Sequence, residues 1–224
     1  MNIVRGLIQA LDRVRDGLGV QSANALENAA RELLDDNHAL RSLQAGETVN
    51  DFELPDATGR NVKLSQYLSD GPVVLTFYRG GWCLYCRSYL TSLQAALPAF
   101  RAAGAQLVAV SPQTTEYSMA TAEKLQIGFP VLSDLDNVVA RRFGLVFQLP
   151  EAFREAYSTL DIDLPQRNGS ETFELPVPAT YIIRPDRVIS YAHVDPDYTR
   201  RPHPGDILSH LQLLQVGFGE PASA

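Results

Sequence analysis

Cysteine is nearly absent from this chain. Its 224 residues carry two, Cys83 and Cys86, which excludes a scaffold stapled by several disulfides. Basic charge is in deficit: Lys and Arg total 19 against 26 Asp and Glu, a net charge of −7. That balance argues against nucleic acid or an anionic membrane as a partner. No apolar run reaches the ~18–20 residues of a membrane-spanning helix. The opening stretch is broken by Arg5, Asp12, Arg13, Arg15 and Asp16, which removes the apolar core of a secretory signal. The expected compartment is therefore the cytoplasm, where thiols stay reduced. Histidine is scarce too. His38, His193, His203 and His210 are the four present, none at ligand spacing from the cysteines. A zinc site needs about four ligands, so no metal is expected.

What is present is the composition of a globular protein, 45% hydrophobic and 20% charged. Residues 1–45 read as a helical extension. Ile3, Val4, Leu7, Ile8, Leu11 and Val14 recur at helical spacing, and a second helix opens at Asn24 with Glu27 completing a capping box. Residues 46–216 form the main domain and 217–224 a tail. Short strands are expected at Phe52–Leu54 and Val62–Leu64. A strand buried on both faces is expected over 72–78, since Val73, Val74, Leu75, Phe77 and Tyr78 leave no polar face. A helix over 88–103 follows, with Leu90, Leu93, Leu97 and Phe100 on one side and a kink at Pro98.

Further along, strands are expected at 106–110 and 129–132, and helices at 115–126 and 138–143. Residues 151–159 read as helical and 161–174 as loop, with a turn at Asn168-Gly169-Ser170. A hairpin (179–183 and 187–192) turns at Pro185-Asp186, and a last helix covers 203–216. This alternation of strands and helices predicts an α/β layered fold, one sheet with helices on both faces.

The chemistry concentrates in Gly80-Gly81-Trp82-Cys83-Leu84-Tyr85-Cys86-Arg87, where the buried strand ends and a helix begins. Two cysteines separated by two residues beside such a pattern read as a redox pair. Unpaired amides at a helix start stabilise a thiolate, and positions three apart share one side of the first turn. Arg79 and Arg87 add positive potential, and Trp82 flanks the pair. The competing readings are two core cysteines, which the junction placement disfavours, and a zinc site, which the lack of further ligands at suitable spacing disfavours. A second signal is Pro178, directly before the strand 179–183. Taken alone it reads as an ordinary strand-start proline, but beside the cysteine motif it resembles the cis-proline that faces the cysteines in thioredoxin-fold proteins, so a cis bond from Val177 is expected.

With those residues in view, the chain resembles the peroxiredoxin-like group of the thioredoxin superfamily, related to alkyl hydroperoxide reductase and thiol-specific antioxidant proteins. The resemblance runs from Gly46 to Leu214. It is carried by Asn50-Asp51-Phe52-Glu53-Leu54, Thr76-Phe77-Tyr78-Arg79, the cysteine pair, Val108-Ala109-Val110-Ser111, Phe129 to Asp134 and Ala179 to Ile183. It implies a thioredoxin-like sheet and a thiol peroxidase. In its register Arg79 stands at the usual Pro, Cys83 at the usual Thr and Cys86 at the peroxidatic cysteine. The usual Arg opposite that cysteine falls on Pro178.

The resemblance therefore implies that Cys86 attacks peroxide and that Cys83 resolves the sulfenic acid as a disulfide. A thioredoxin-like or glutathione-type reductant then recycles the pair, with no metal, flavin or haem cofactor. The departures leave two other functions open. One is a thioredoxin-like thiol–disulfide oxidoreductase with Cys83 as the nucleophile. The other is a non-enzymatic redox sensor. The N-terminal stripe Ile3, Leu7, Ile8 and Leu11 suggests a homodimer.

Overall fold

The computed structural model describes residues 41–218. The helical extension over 1–45 and the apolar stripe read from it lie almost wholly outside these residues, as does most of the tail. A short hairpin opens the described chain, β1 (Glu53–Pro55) against β2 (Asn61–Lys63), followed by α1 (Leu64–Leu68). The apolar run at 72–78 then becomes β3 (Val73–Phe77), all five residues buried. Next come α2 (Leu84–Ala102), β4 (Gln106–Ser111), α3 (Thr115–Lys124), β5 (Val131–Ser133) and α4 (Val138–Arg142).

The central sheet is completed by β8 (Ala179–Ile183) and β9 (Ile189–Val194), in the order β5-β4-β3-β8-β9. Strands β3, β4 and β5 run parallel, joined by helical crossovers, while β8 and β9 pair antiparallel. The last helix is α7 (Pro204–Phe218). Between α4 and β8 lies a small cap: β6 (Val146–Gln148), α5 (Glu151–Thr159), α6 (Leu164–Asn168) and β7 (Glu174–Pro176), with β6 and β7 paired antiparallel.

The pleat of β3 sorts its side chains into two cores. Val73, Leu75 and Phe77 pack with the β1–β2 hairpin, α1 and α4. Val74 and Tyr78 pack with Leu90, Leu93, Leu97 and Phe100 of α2 and Ile207 and Leu211 of α7. The sheet thus has helices on both faces, as expected. A third cluster, Leu149, Phe153, Ala156, Leu164, Leu175 and Tyr198, holds the cap, and Trp82 and Tyr85 of the cysteine motif pack against it.

Helix α2 begins at Leu84 with Cys83 as its N-cap, without a side-chain cap bond, so the cysteines open the helix as the motif's placement predicts, and the helix extends four residues ahead of the stretch read from 88. Pro98 lies inside it. Two expectations need correction. The stretch read as loop, 161–174, contains α6, which is capped by Asp163 and closed by Gly169 in the left-handed conformation. The second concerns Pro178: no peptide bond among the described residues is cis, so Val177–Pro178 is trans. The chain passes from β7 straight into β8, and Val177 N donates to Leu145 O at 2.7 Å on the way. A strand-entry proline needs no N–H of its own, and the trans isomer is favoured by ~0.5–1 kcal/mol where nothing demands otherwise.

Candidate active site

Gly80 and Gly81 form the bend that turns β3 into α2. Gly80 has φ +148°, and a Cβ there would lie 2.3 Å from Trp82 Nε1. A Cβ on Gly81 would lie 2.1 Å from Thr121 Oγ1. Gly81 N donates to Gln113 Oε1 at 2.7 Å, fixing the bend to the end of β4. Glycine is required at both positions for the cysteines to arrive at the helix start. Cys83 is then the N-cap of α2 and Cys86 lies in its first turn; both are buried, at 4% and 1% exposure.

Arg79 turns inward. Its Nη2 donates to Cys83 Sγ at 3.1 Å and its Nη1 to Tyr157 Oη at 3.3 Å. Its guanidinium lies 3.7 Å from the ring centre of Tyr198 and 5.3 Å from that of Trp82. Aromatic faces attract such a cation. Burial pushes the guanidinium toward neutrality, and the negative charge developing on Cys83 more than offsets this, holding it protonated. Trp82 in turn packs against Tyr157, with ring centres 5.1 Å apart.

The two thiols part company electrostatically. The Cys83 thiol is held well below its ordinary value, first because Cys86 donates a hydrogen bond to it. Burial opposes this, and the charge of Arg79 reinforces it. The Cys86 thiol is pushed well above its ordinary value by burial and by the charge on Cys83; Arg201 and Arg79 pull the other way. The surroundings therefore favour the anion on Cys83 and the proton on Cys86. Sequence register puts the attacking sulphur at Cys86, whereas the charge distribution puts the resting anion at Cys83.

Of the other residues singled out from sequence, Arg87 is half-buried and its side chain donates to neither sulphur among the described contacts. Pro178 is buried and precedes Ala179, which pairs with Phe77. It therefore stands at the end of the sheet where β3 delivers Tyr78 and Arg79. Sequence reasoning missed Tyr157 and Tyr198, which enclose Arg79, and Arg201, whose Nη2 reaches Cys86 Sγ at 3.8 Å. The available signal was the proline-bounded run Asp195 to Pro204, with two adjacent arginines between strand and helix. Among the described residues, no group of three or more His, Cys, Asp or Glu side chains is placed to hold a metal ion. None of their helices is long and apolar enough to cross a membrane.

Comparison with known proteins adds the family context. The AhpC/TSA family model matches residues 45–192. A protein of Mycobacterium tuberculosis (strain CDC 1551 / Oshkosh) that carries a peroxiredoxin name is 37% identical over 103 residues, 46% of this chain and 67% of its own. The thiol-disulfide oxidoreductase ResA of Geobacillus thermodenitrificans is 29% identical over 113 residues, 50% of this chain and 63% of its own. The crystal structure of the peroxidoxin BcpB from Mycobacterium tuberculosis superposes with a TM-score of 0.61 at 27% identity, covering 77% of this chain and 98% of that one.

Proposed function

This chain belongs to the AhpC/TSA family, and from that premise we propose that it is a thiol peroxidase. It reduces hydrogen peroxide or organic hydroperoxides through the Cys83–Cys86 pair. The observation that carries the reading is a buried cysteine at a helix cap, its sulphur 3.1 Å from a buried guanidinium, with a second cysteine in the first turn of the same helix. The peroxide O–O bond is weak, so the protein has to supply an anionic sulphur, its orientation and charge stabilisation of the leaving oxygen.

In the proposed cycle the Cys83 thiolate attacks one peroxide oxygen. The O–O bond breaks, the sulphur becomes a sulfenic acid, and the departing alkoxide or hydroxide takes a proton to leave as alcohol or water. The Cys86 sulphur then attacks Cys83; the S–O bond breaks, water leaves with the Cys86 proton, and a disulfide forms. A thioredoxin-like or glutathione-type donor returns both electrons by thiol exchange. A pair that must be re-reduced in each cycle also supports a cytoplasmic location. A homodimer built on Ile3, Leu7, Ile8 and Leu11 belongs to the same proposal.

A second reading has one observation in its favour. A first cysteine whose anion is favoured and a second that keeps its proton also suit attack on a protein disulfide, and half of this chain is 29% identical to ResA. Rapid-mixing oxidation by hydrogen peroxide and by an organic hydroperoxide, run beside an insulin-reduction assay, separates the two. Fast peroxide consumption with weak insulin reduction is the expected result. The reverse would hand the site to disulfide exchange.

A further inference from the structure

The segment between β9 and α7 carries two adjacent arginines with different employment. Arg200 is committed to carboxylates: its guanidinium lies 3.8 Å from Asp195 Oδ2 and 3.4 Å from Asp197 Oδ2. Asp197 is 1% exposed and accepts from Thr199 N at 3.0 Å and Thr199 Oγ1 at 2.6 Å. Asp195 Oδ1 accepts from Asp197 N at 2.8 Å. These bonds brace the segment and neutralise its first arginine. Arg201 pairs with no carboxylate among the described residues. Its Nη1 donates to Arg200 O at 2.7 Å, its Nη2 reaches Cys86 Sγ at 3.8 Å, and its guanidinium lies 5.8 Å from the ring centre of Tyr89.

Each sulphur thus has its own arginine: Arg79 from the end of β3 serves Cys83, and Arg201, 115 residues beyond Cys86 in sequence, serves Cys86. Closing the disulfide requires Cys86 to act as a nucleophile, and a buried sulphur does so poorly while it keeps its proton. We propose that Arg201 is the positioning residue that delivers Cys86 as a thiolate for disulfide closure. The inference rests on the redox-pair reading above and assigns the second step of that cycle. Its timing follows from charge. While Cys83 is an anion, it opposes a second negative sulphur beside it. Once Cys83 has become a neutral sulfenic acid, that opposition is gone, and Arg201 and Arg79 are left to work against burial alone. The other groups facing Cys86 are Arg79, which also favours the anion, and Tyr78 and Tyr157, both neutral at working pH. The direction of the Arg201 contribution to Cys86 agrees with this geometry.

The test isolates Cys86 in a Cys83→Ser background and follows its alkylation by iodoacetamide against pH, read by intact mass. Arg201→Met is expected to move the midpoint of that profile upward by about one pH unit, which slows alkylation about tenfold below the midpoint. Arg201→Lys restores most of the loss, and Arg201→Gln serves as a second neutral variant if the methionine protein fails to fold. A merely structural role would change the plateau rate and leave the midpoint where it was; an unmoved midpoint overturns the proposal. In the protein with both cysteines, Arg201→Met is expected to slow disulfide closure after one equivalent of peroxide, with the deficit shrinking as pH rises. If the unmodified protein fails to consume peroxide, the peroxidase reading falls, and the alkylation profile still decides the role of Arg201.

Discussion

Cys83 and Cys86 share a helix turn, a hydrophobic cluster and near-complete burial, yet their surroundings pull them in opposite directions. Around Cys83 an arginine is enclosed by Tyr157, Tyr198 and Trp82 and donates to the sulphur at 3.1 Å. Around Cys86 the guanidinium of Arg201 reaches 3.8 Å from the half-buried segment before the last helix, and burial dominates. The difference teaches that spacing in sequence selects a redox pair, whereas the order of reaction within it is set by residues brought from elsewhere. Arg79 arrives with the strand, Tyr157 with the cap, and Tyr198 and Arg201 with the segment before the last helix.

The sharpest way to break this contrast is to remove one sulphur at a time. Cys86→Ser should leave a Cys83 that one peroxide equivalent converts to a sulfenic acid trappable by dimedone, with no recycling. Cys83→Ser should lose the fast reaction by about two orders of magnitude, as expected when a nucleophile is replaced by one that is not activated. It should also melt lower than Cys86→Ser, because Arg79 keeps its burial and loses a charge-assisted partner worth about 1.5–3 kcal/mol. Fast oxidation of Cys86 in the Cys83→Ser protein would reverse the order and restore the register-based assignment.

A smaller change tests the origin of the asymmetry. The ultraviolet absorbance of thiolates in the reduced protein should rise in two steps, Cys83 below the ordinary thiol value and Cys86 above it. The Cys83 pKa is depressed on folding. Its contribution to stability is therefore full above about pH 8.5, the unfolded value, and is lost as pH falls through the folded one. Cys86 has the opposite sign and weakens the fold at alkaline pH. Arg79→Met should push the first step upward by about one to three units, the usual effect of an adjacent opposite charge. Two steps that stay apart would show that the hydrogen bond from Cys86 is sufficient by itself.

The smallest effect belongs to Arg87→Ala. Its guanidinium donates to neither sulphur among the described contacts, so both titration steps should move by less than about a third of a unit, the scale of a solvent-screened charge. A larger shift would mean that helix-borne charge matters as much as the two arginines brought from outside.

Much of this was legible in the chain. The unbroken apolar run of β3, the Gly-Gly bend and the cysteine spacing placed the site before any coordinates, because each is a local signal with one dominant explanation. The stripe Leu90, Leu93, Leu97 and Phe100 likewise reported the buried face of α2. That stripe alone begins the helix at 88, whereas the cysteine motif puts its start at Cys83, where it lies. The cap was half legible. Glu151–Thr159 carries helical periodicity, but β6 and β7 are three residues each and find each other only through pairing across the cap. Arg201 was hidden by distance along the chain. Pro178 misled, since a proline at a strand entry has the same sequence whichever isomer the fold selects.

The enclosure of Arg79 also bears on redox poise. Among the described contacts the Cys83 sulphur is the anionic partner its guanidinium touches. Oxidation to the disulfide removes that anion and leaves a positive charge in an aromatic box. Relative to a pair without such a cation, this contact shifts the balance toward the dithiol and raises the reduction potential. Equilibration against a glutathione buffer should find it reduced more readily than an ordinary structural disulfide. The same contact that sharpens Cys83 for attack thus makes the oxidised enzyme easy to recharge, coupling the two halves of turnover through one buried cation.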